Sequence, residues 1–255
     1  MRQETYPILE FDPTPKAIIE PSEHILRGDV PEHAVICFFA EVIQKIVQEH
    51  QAQVIFTSIS EMGKHPVYEI NYEGKRLAFF HPGVGAALAV GLMEEAIALG
   101  IIKFVACGGC GVLDKAVGVG HILVPAAAVR DEGTSYHYAA PAREIKMPPE
   151  VLTVLESVLQ AHHLPFYRVK TWTTDAIYRE TPQKAAARLA EGCLSVEMET
   201  AAFLALAQFR NVRFGQYLYG GDAVLEDAWD GREWHSRKEI RENLFWLAAE
   251  ACLQL

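Results

Sequence analysis

Two carboxylates flank a thioether in Ser195-Val196-Glu197-Met198-Glu199-Thr200, where a short apolar run gives way to an alanine-rich segment. Ionised carboxylates accept hydrogen bonds and donate none. Glu197 and Glu199 therefore suit a ligand rich in hydroxyls, and the polarisable Met198 suits the flat apolar face of its ring. A sugar has both features. The same acids also read as ordinary residues of a helix first turn, where the macrodipole favours anions. A second acid, Asp222, follows the apolar stretch Phe214 to Tyr219, and a third, Glu41, follows the apolar stretch Ala34 to Phe39. The spacing Cys107-Gly-Gly-Cys110 is formally a redox or metal motif, but it has no second CxxC and no nearby histidine to complete a zinc site.

These residues need a frame to hold them. Ala34 to Phe39 reads as a buried strand feeding a helix from Glu41 to His50, and Val67 to Tyr72 and Arg76 to His81 read as a hairpin turning at Glu73-Gly74. Pro82-Gly83-Val84-Gly85 leads into a helix from Ala86 to Leu99, with Gly100 as its C-cap. Lys103 to Cys107 and Ile122 to Val129 are further strands. Helices follow over Pro149 to His162, Gln183 to Ala190, Ala201 to Phe209 and Ser236 to Leu253, with strands at Phe166 to Thr171 and Phe214 to Tyr219. Strands alternating with helices predict a three-layer α/β/α fold around a central mixed, mostly parallel sheet, and such sheets bind ligands beyond the carboxyl ends of their strands. The glycines at 83 to 85 and 108 to 111, and Asp222, are expected at those ends. Gly83-Val84-Gly85-Ala86-Ala87-Leu88 only superficially matches a dinucleotide fingerprint, because Leu88 stands where a small residue belongs and the preceding strand belongs to a hairpin.

Composition narrows the partners. A chain of 255 residues, half of them hydrophobic, without repeats or low-complexity linkers, fits one domain over residues 1–255, with 1–23 as an N-terminal extension. The formal charge of -10 argues against nucleic acid and anionic membrane, and no apolar run has the length of a membrane span or a leader. Five cysteines scattered along the chain fit a reducing cytoplasm. Nothing calls for a metal or organic cofactor.

Taken in order, His24, Gly28-Asp29, Gly83-Val84-Gly85, Gly108-Gly109-Cys110-Gly111, Asp131 to Tyr138, Thr174-Asp175-Ala176-Ile177-Tyr178, Glu197-Met198-Glu199 and Gly221-Asp222 resemble the nucleoside phosphorylase family, which holds purine nucleoside phosphorylases, uridine phosphorylases and related nucleosidases. The resemblance runs from about His24 to the C-terminus. It implies that Met198 lies against a ribose, that Glu199 accepts from its 2′- and 3′-hydroxyls, and that Glu197 supports the pocket beside them. Gly85, Gly108 and Gly109 would line it, Tyr178 would be an aromatic wall near the base, and Ile177 stands where relatives often have Phe. Arg179 would read a base carbonyl or an anion. His24 falls where members offer a histidine to a neighbouring subunit's nucleoside, which implies a homo-oligomer, dimer or hexamer. Asp222 falls where purine-cleaving members keep the acid that protonates the leaving base, so it favours purines. Gly221 replaces the usual Ser. Of Arg232, His235 and Arg237, the resemblance selects Arg237 as the arginine approaching that acid.

The chain departs from the family where phosphate, the expected co-substrate, would bind. Phe38-Phe39-Ala40-Glu41-Val42 replaces a Gly-Asp-Pro-x-x-Arg-like loop, Ala106 replaces a strand arginine, and only Lys64 and His65 stand near the neighbour's arginine at Gly63. Burying a dianion without cations costs several kcal/mol, roughly. Three expectations follow. The chain is a phosphorylase that forms base and ribose 1-phosphate, holding phosphate through Arg27, Lys45, Lys64 or Arg179 and backbone amides of 108 to 111. It is a nucleosidase in which Glu41 activates water. Or it binds nucleosides without turnover, against which Asp222 and the intact Glu-Met-Glu trio argue.

Overall fold

The computed structural model describes residues 3–225 and 228–255. A short helix α1 (Pro21–His24) precedes β1 (His33–Cys37), whose unbroken apolar run is buried because helices cover both faces of the strand. Next come α2 (Ala40–Glu49), which turns Val42, Ile43 and Ile46 inward, and an edge hairpin system of β2 (Gln53–Ser60), β3 (Gly63–Tyr72) and β4 (Lys75–Phe80). Glu73 and Gly74 both take positive φ, 51° and 78°, as a two-residue hairpin turn requires. Helix α3 (Ala86–Leu99) ends at Gly100, whose φ of 122° only glycine adopts readily. Then follow β5 (Lys103–Val112), β6 (Ile122–Asp131), β7 (Glu144–Lys146), α4 (Pro149–Ala161), β8 (Phe166–Thr174), α5 (Pro182–Ala190), β9 (Cys193–Glu197), α6 (Thr200–Arg210), β10 (Arg213–Val224), β11 (Trp229–Asp230) and α7 (Lys238–Gln254).

The strands form one mixed sheet in the order β11-β10-β6-β8-β9-β5-β1-β4-β3-β2, with β7 on β6. Its parallel pairings hold the centre: β4 with β1, β1 with β5, β5 with β10, β6 with β8, and β8 with β9. Strand β5 also pairs antiparallel with β9, and β10 with β6, so β5, β10, β6, β8 and β9 close a ring. The layers are those expected. Helices α2, α4 and α7 cover one face, where Gly215 leaves room for Val151 and Leu155 of α4. Helices α3 and α6 cover the other, where Phe203 packs on Phe214. The N-terminal segment is tied down by Arg210, which donates to the Pro15 carbonyl and pairs with Glu20 at 3.1 Å and Glu94 at 2.9 Å.

Two expectations about strand ends are corrected. Gly108 to Gly111 is not a loop after a strand but part of β5, which leaves β1 after Cys107 and joins β9 at Gly111. Bulk is excluded along this crossing: a Cβ on Gly108 would lie 3.1 Å from Phe38, one on Gly109 3.3 Å from Tyr219, and one on Gly111 2.9 Å from Val196. Asp222 likewise lies inside β10, where the register against β5 slips between Gly220 and Ala223. That bulge inserts one residue and re-aims the acid. Strand β2 was not anticipated, because as a largely exposed edge it carries no alternating core face.

Candidate active site

The acids of the opening motif divide their work. Glu197, at the end of β9 and buried, accepts from Thr173 Oγ1 at 2.6 Å and from the backbone N–H groups of Glu199 and Thr200 at 2.7 and 2.6 Å. It caps α6 and locks the turn that carries Met198 and Glu199, so its contribution to the pocket is support from beneath. Glu199 is 5% exposed and accepts from the Gly85 N–H at 2.6 Å, which draws together the N-termini of α3 and α6. Burial, reinforced by the Glu197 charge, pushes its carboxyl up to about 8. Met198 is half-buried between the two acids. Asp175, whose carboxylate accepts from the Gly133 N–H at 2.8 Å, adds negative charge felt by Glu199.

Asp222 accepts from the indole N–H of Trp229 at 2.7 Å. Residues Gly221 and Asp222 are stitched down by Arg232, which donates to the carbonyls of Gly221 at 2.9 Å and Asp222 at 3.3 Å and to that of Val117 at 2.9 Å. The arginine that reaches this acid is therefore Arg232, through the backbone, and not Arg237, whose side chain is exposed at the start of α7. The glycine before the acid has a steric cause: a Cβ on Gly221 would lie 3.1 Å from the Cys110 carbonyl and 3.4 Å from Trp234 Cβ. Glu180, which the sequence reading passed over, is pushed up to about 7 by burial and by the Asp222 carboxylate. No motif marks Glu180; its nearness to Asp222 is a product of the fold.

On the side where an acceptor would attack, Phe39 is buried and Phe38 closes on Gly108 and on the edge of His81, with ring centroids 6.2 Å apart. Glu41, in the first turn of α2, lies 3.0 Å from Arg241 of α7. The cations considered for phosphate do not gather here. Lys45 pairs with Glu242 at 2.8 Å, Lys64 is exposed on β3, and Arg179 is exposed in a short turn. Arg27 packs beside Gly100, the end of α3 opposite Gly85. A helix of 14 residues separates those ends by about 21 Å.

The remaining candidates lie at the surface. Tyr178 is 95% exposed and Ile177 53%, so neither forms a wall within one chain, and His24 is exposed on α1. All five cysteines are free and buried; burial pushes the Cys107 and Cys110 thiols up, and Cys110 donates to the Tyr219 carbonyl at 3.3 Å. The CxxC spacing thus serves a strand crossing. Among the described residues no cluster of His, Cys, Asp and Glu could hold a metal ion, and no helix is long and apolar enough to cross a membrane. A separate cleft of about 370 Å³ beside α7, lined by Tyr72, His162, Trp246 and Glu250 among others, includes none of the candidate site residues.

The sequence profile of the phosphorylase superfamily matches residues 32–244. A guanosine phosphorylase of Halorubrum lacusprofundi is 26% identical over 75% of this chain and 79% of its own length. A crystal structure of uridine phosphorylase from Vibrio fischeri superposes with a TM-score of 0.74 at 19% identity, covering 89% of this chain and 94% of that one. One of AMP nucleosidase from Bacteroides thetaiotaomicron does so with a TM-score of 0.69 at 20% identity, covering 88% and 87%.

Proposed function

The chain belongs to the phosphorylase superfamily, and from that premise we propose that this enzyme cleaves the N-glycosidic bond of a nucleoside, a purine nucleoside before a pyrimidine one. The observation that carries the reading is the buried Glu199, fixed at the meeting point of two helix N-termini with Met198 beside it. A ribose diol donates to such a carboxylate and releases its proton, and the sulfur packs on the sugar face. Asp222, aimed by a bulge and backed by Arg232, protonates the departing base. General acid assistance of this kind contributes about 10²–10⁴-fold. His24 and Tyr178 act across a subunit boundary, which accounts for their exposure in one chain.

Phosphorolysis to base and ribose 1-phosphate is the reading favoured by the relative's name. Hydrolysis is favoured by a specific observation. Phe38 and Phe39 fill the loop after β1, and Arg241, which packs on Phe39, already faces Glu41. A phosphate there would meet a like charge, and unit charges about 4 Å apart interact by about 4 kcal/mol at an effective dielectric of 20. Purified protein incubated with a panel of nucleosides, with and without phosphate, separates the readings. Base release with free ribose and no phosphate requirement supports hydrolysis, ribose 1-phosphate supports phosphorolysis, and no release from any nucleoside refutes glycosidic cleavage.

A further inference from the structure

Two charged groups 200 residues apart in the chain, counting from 41 to 241, meet where the loop after β1 passes the start of α7. The Arg241 guanidinium lies 4.6 Å from the Phe39 ring centroid and 5.9 Å from that of Trp234, and its side chain is only 12% exposed. Its Nε stands 3.0 Å from Glu41 Oε1, and both atoms are shut off from solvent without an aligned hydrogen-bond partner among the described residues. They form an ion pair in an aromatic setting. The Glu41 side chain as a whole is 41% exposed, so its carboxylate meets solvent through Oε2. The surrounding cage belongs to the site: Tyr219, which donates to the Trp234 carbonyl at 3.2 Å and packs on Phe39, faces Gly109 of β5.

We propose that Arg241 is a positioning residue of the glycosidic reaction: its guanidinium, braced against Phe39 and Trp234, holds the Glu41 carboxylate as an internal anion at the acceptor side, so that Glu41 serves water in place of an anionic acceptor. The proposal rests on the glycosidic-cleavage reading above. An aromatic-braced guanidinium shut off from solvent holds its partner's charge more firmly than a solvated surface pair does. With Oε1 committed to Arg241, Oε2 is the oxygen left to accept a proton. The water oxygen bonds to C1′ as the C1′–N bond breaks, and the bonding pair leaves on the base nitrogen. The proton of the water passes to Glu41, and the base takes its proton from Asp222. Besides Arg241, the titratable groups facing Glu41 are His81 after β4, which burial holds below its ordinary value, Tyr219 of β10, and Lys45 one turn further along α2.

The test uses the full chain with inosine and guanosine as probes, reading base release and the sugar product with and without phosphate. The wild type is expected to release ribose at a rate that phosphate does not raise. Arg241→Met is expected to lower kcat about 10²-fold while leaving the nucleoside KM within about 3-fold. Arg241→Lys keeps the charge and should recover part of the kcat that Arg241→Met loses, again with KM little changed, and it decides the matter alone if Arg241→Met does not fold. An Arg241→Met variant whose kcat stays within about 3-fold of the wild type, or an Arg241→Lys variant that is merely less thermostable with unchanged kcat, overturns the proposal. So does ribose 1-phosphate as product with a raised phosphate KM in either variant, an outcome that leaves glycosidic cleavage standing. Absence of base release by the wild type refutes the underlying reading instead.

Discussion

Burial raises the carboxyls of both Glu197 and Glu199. Glu199 is pushed from an ordinary value of 4.5 up to about 8, so at neutral pH the unliganded folded chain keeps a proton that the unfolded chain has released. Stability contributed by that proton is fully present below about pH 4.5 and is lost as pH rises toward 8. Glu199→Gln, which cannot ionise, should therefore gain on the wild type with rising pH. We expect its melting temperature at pH 8.5 to exceed the wild-type value by at least about 3 °C more than at pH 5.5. The same substitution should weaken nucleoside binding, since the amide accepts less strongly from the diol. Binding to the wild type near pH 7 should release a proton, and calorimetry in buffers of different ionisation enthalpy reads this directly. At the other end of the substrate, Asp222→Asn is expected to leave nucleoside Kd within about 3-fold while lowering kcat on purine nucleosides by about 10²-fold or more. Equal turnover in that variant removes Asp222 as the acid.

Elements convert these residues into a site. Helix α6 begins on Glu197, whose carboxylate gathers Thr173 of β8 and two backbone N–H groups of the turn. Glu197→Ala should cost about 2–4 kcal/mol by leaving buried donors unpaired, measurable by urea unfolding, with Thr173→Val costing less. The helices and central strands were legible because their apolar periods are local, and so was the hairpin at Glu73-Gly74. The crossing of β5 was not. Its glycines look like a loop in sequence, yet their meaning is the close approach of Phe38, Tyr219 and Val196 from other strands and loops. Asp222 was expected beyond a strand end, but it lies inside β10, and the bulge that aims it depends on the register of β10 against β5. For the same reason the sequence pointed to Arg237, while the turn before α7 directs Arg232 to the Asp222 carbonyl.

At the scale of the whole molecule, several groups that the sequence nominated for the site are exposed in one chain. Val84 is 66% exposed beside Gly85, Ile177 53% and Tyr178 95%, and His24 is also at the surface. We expect a homo-oligomer in sedimentation velocity, with the neighbour covering these groups. A sharper check is complementation: co-expressed His24→Ala and Asp222→Asn chains should regain part of the lost activity, because mixed assemblies contain one intact site, whereas separately inactive sites within each chain would regain none. The family, the carboxylates and the thioether were determined by the sequence, since residue type and ordered spacing carry them. Which carboxyl keeps its proton, which arginine faces which acid, and whether the acceptor side is charged were decided by tertiary structure alone. Desolvation and ion pairing depend on groups brought together from distant segments, as Glu41 and Arg241 are, and no local pattern records such a meeting.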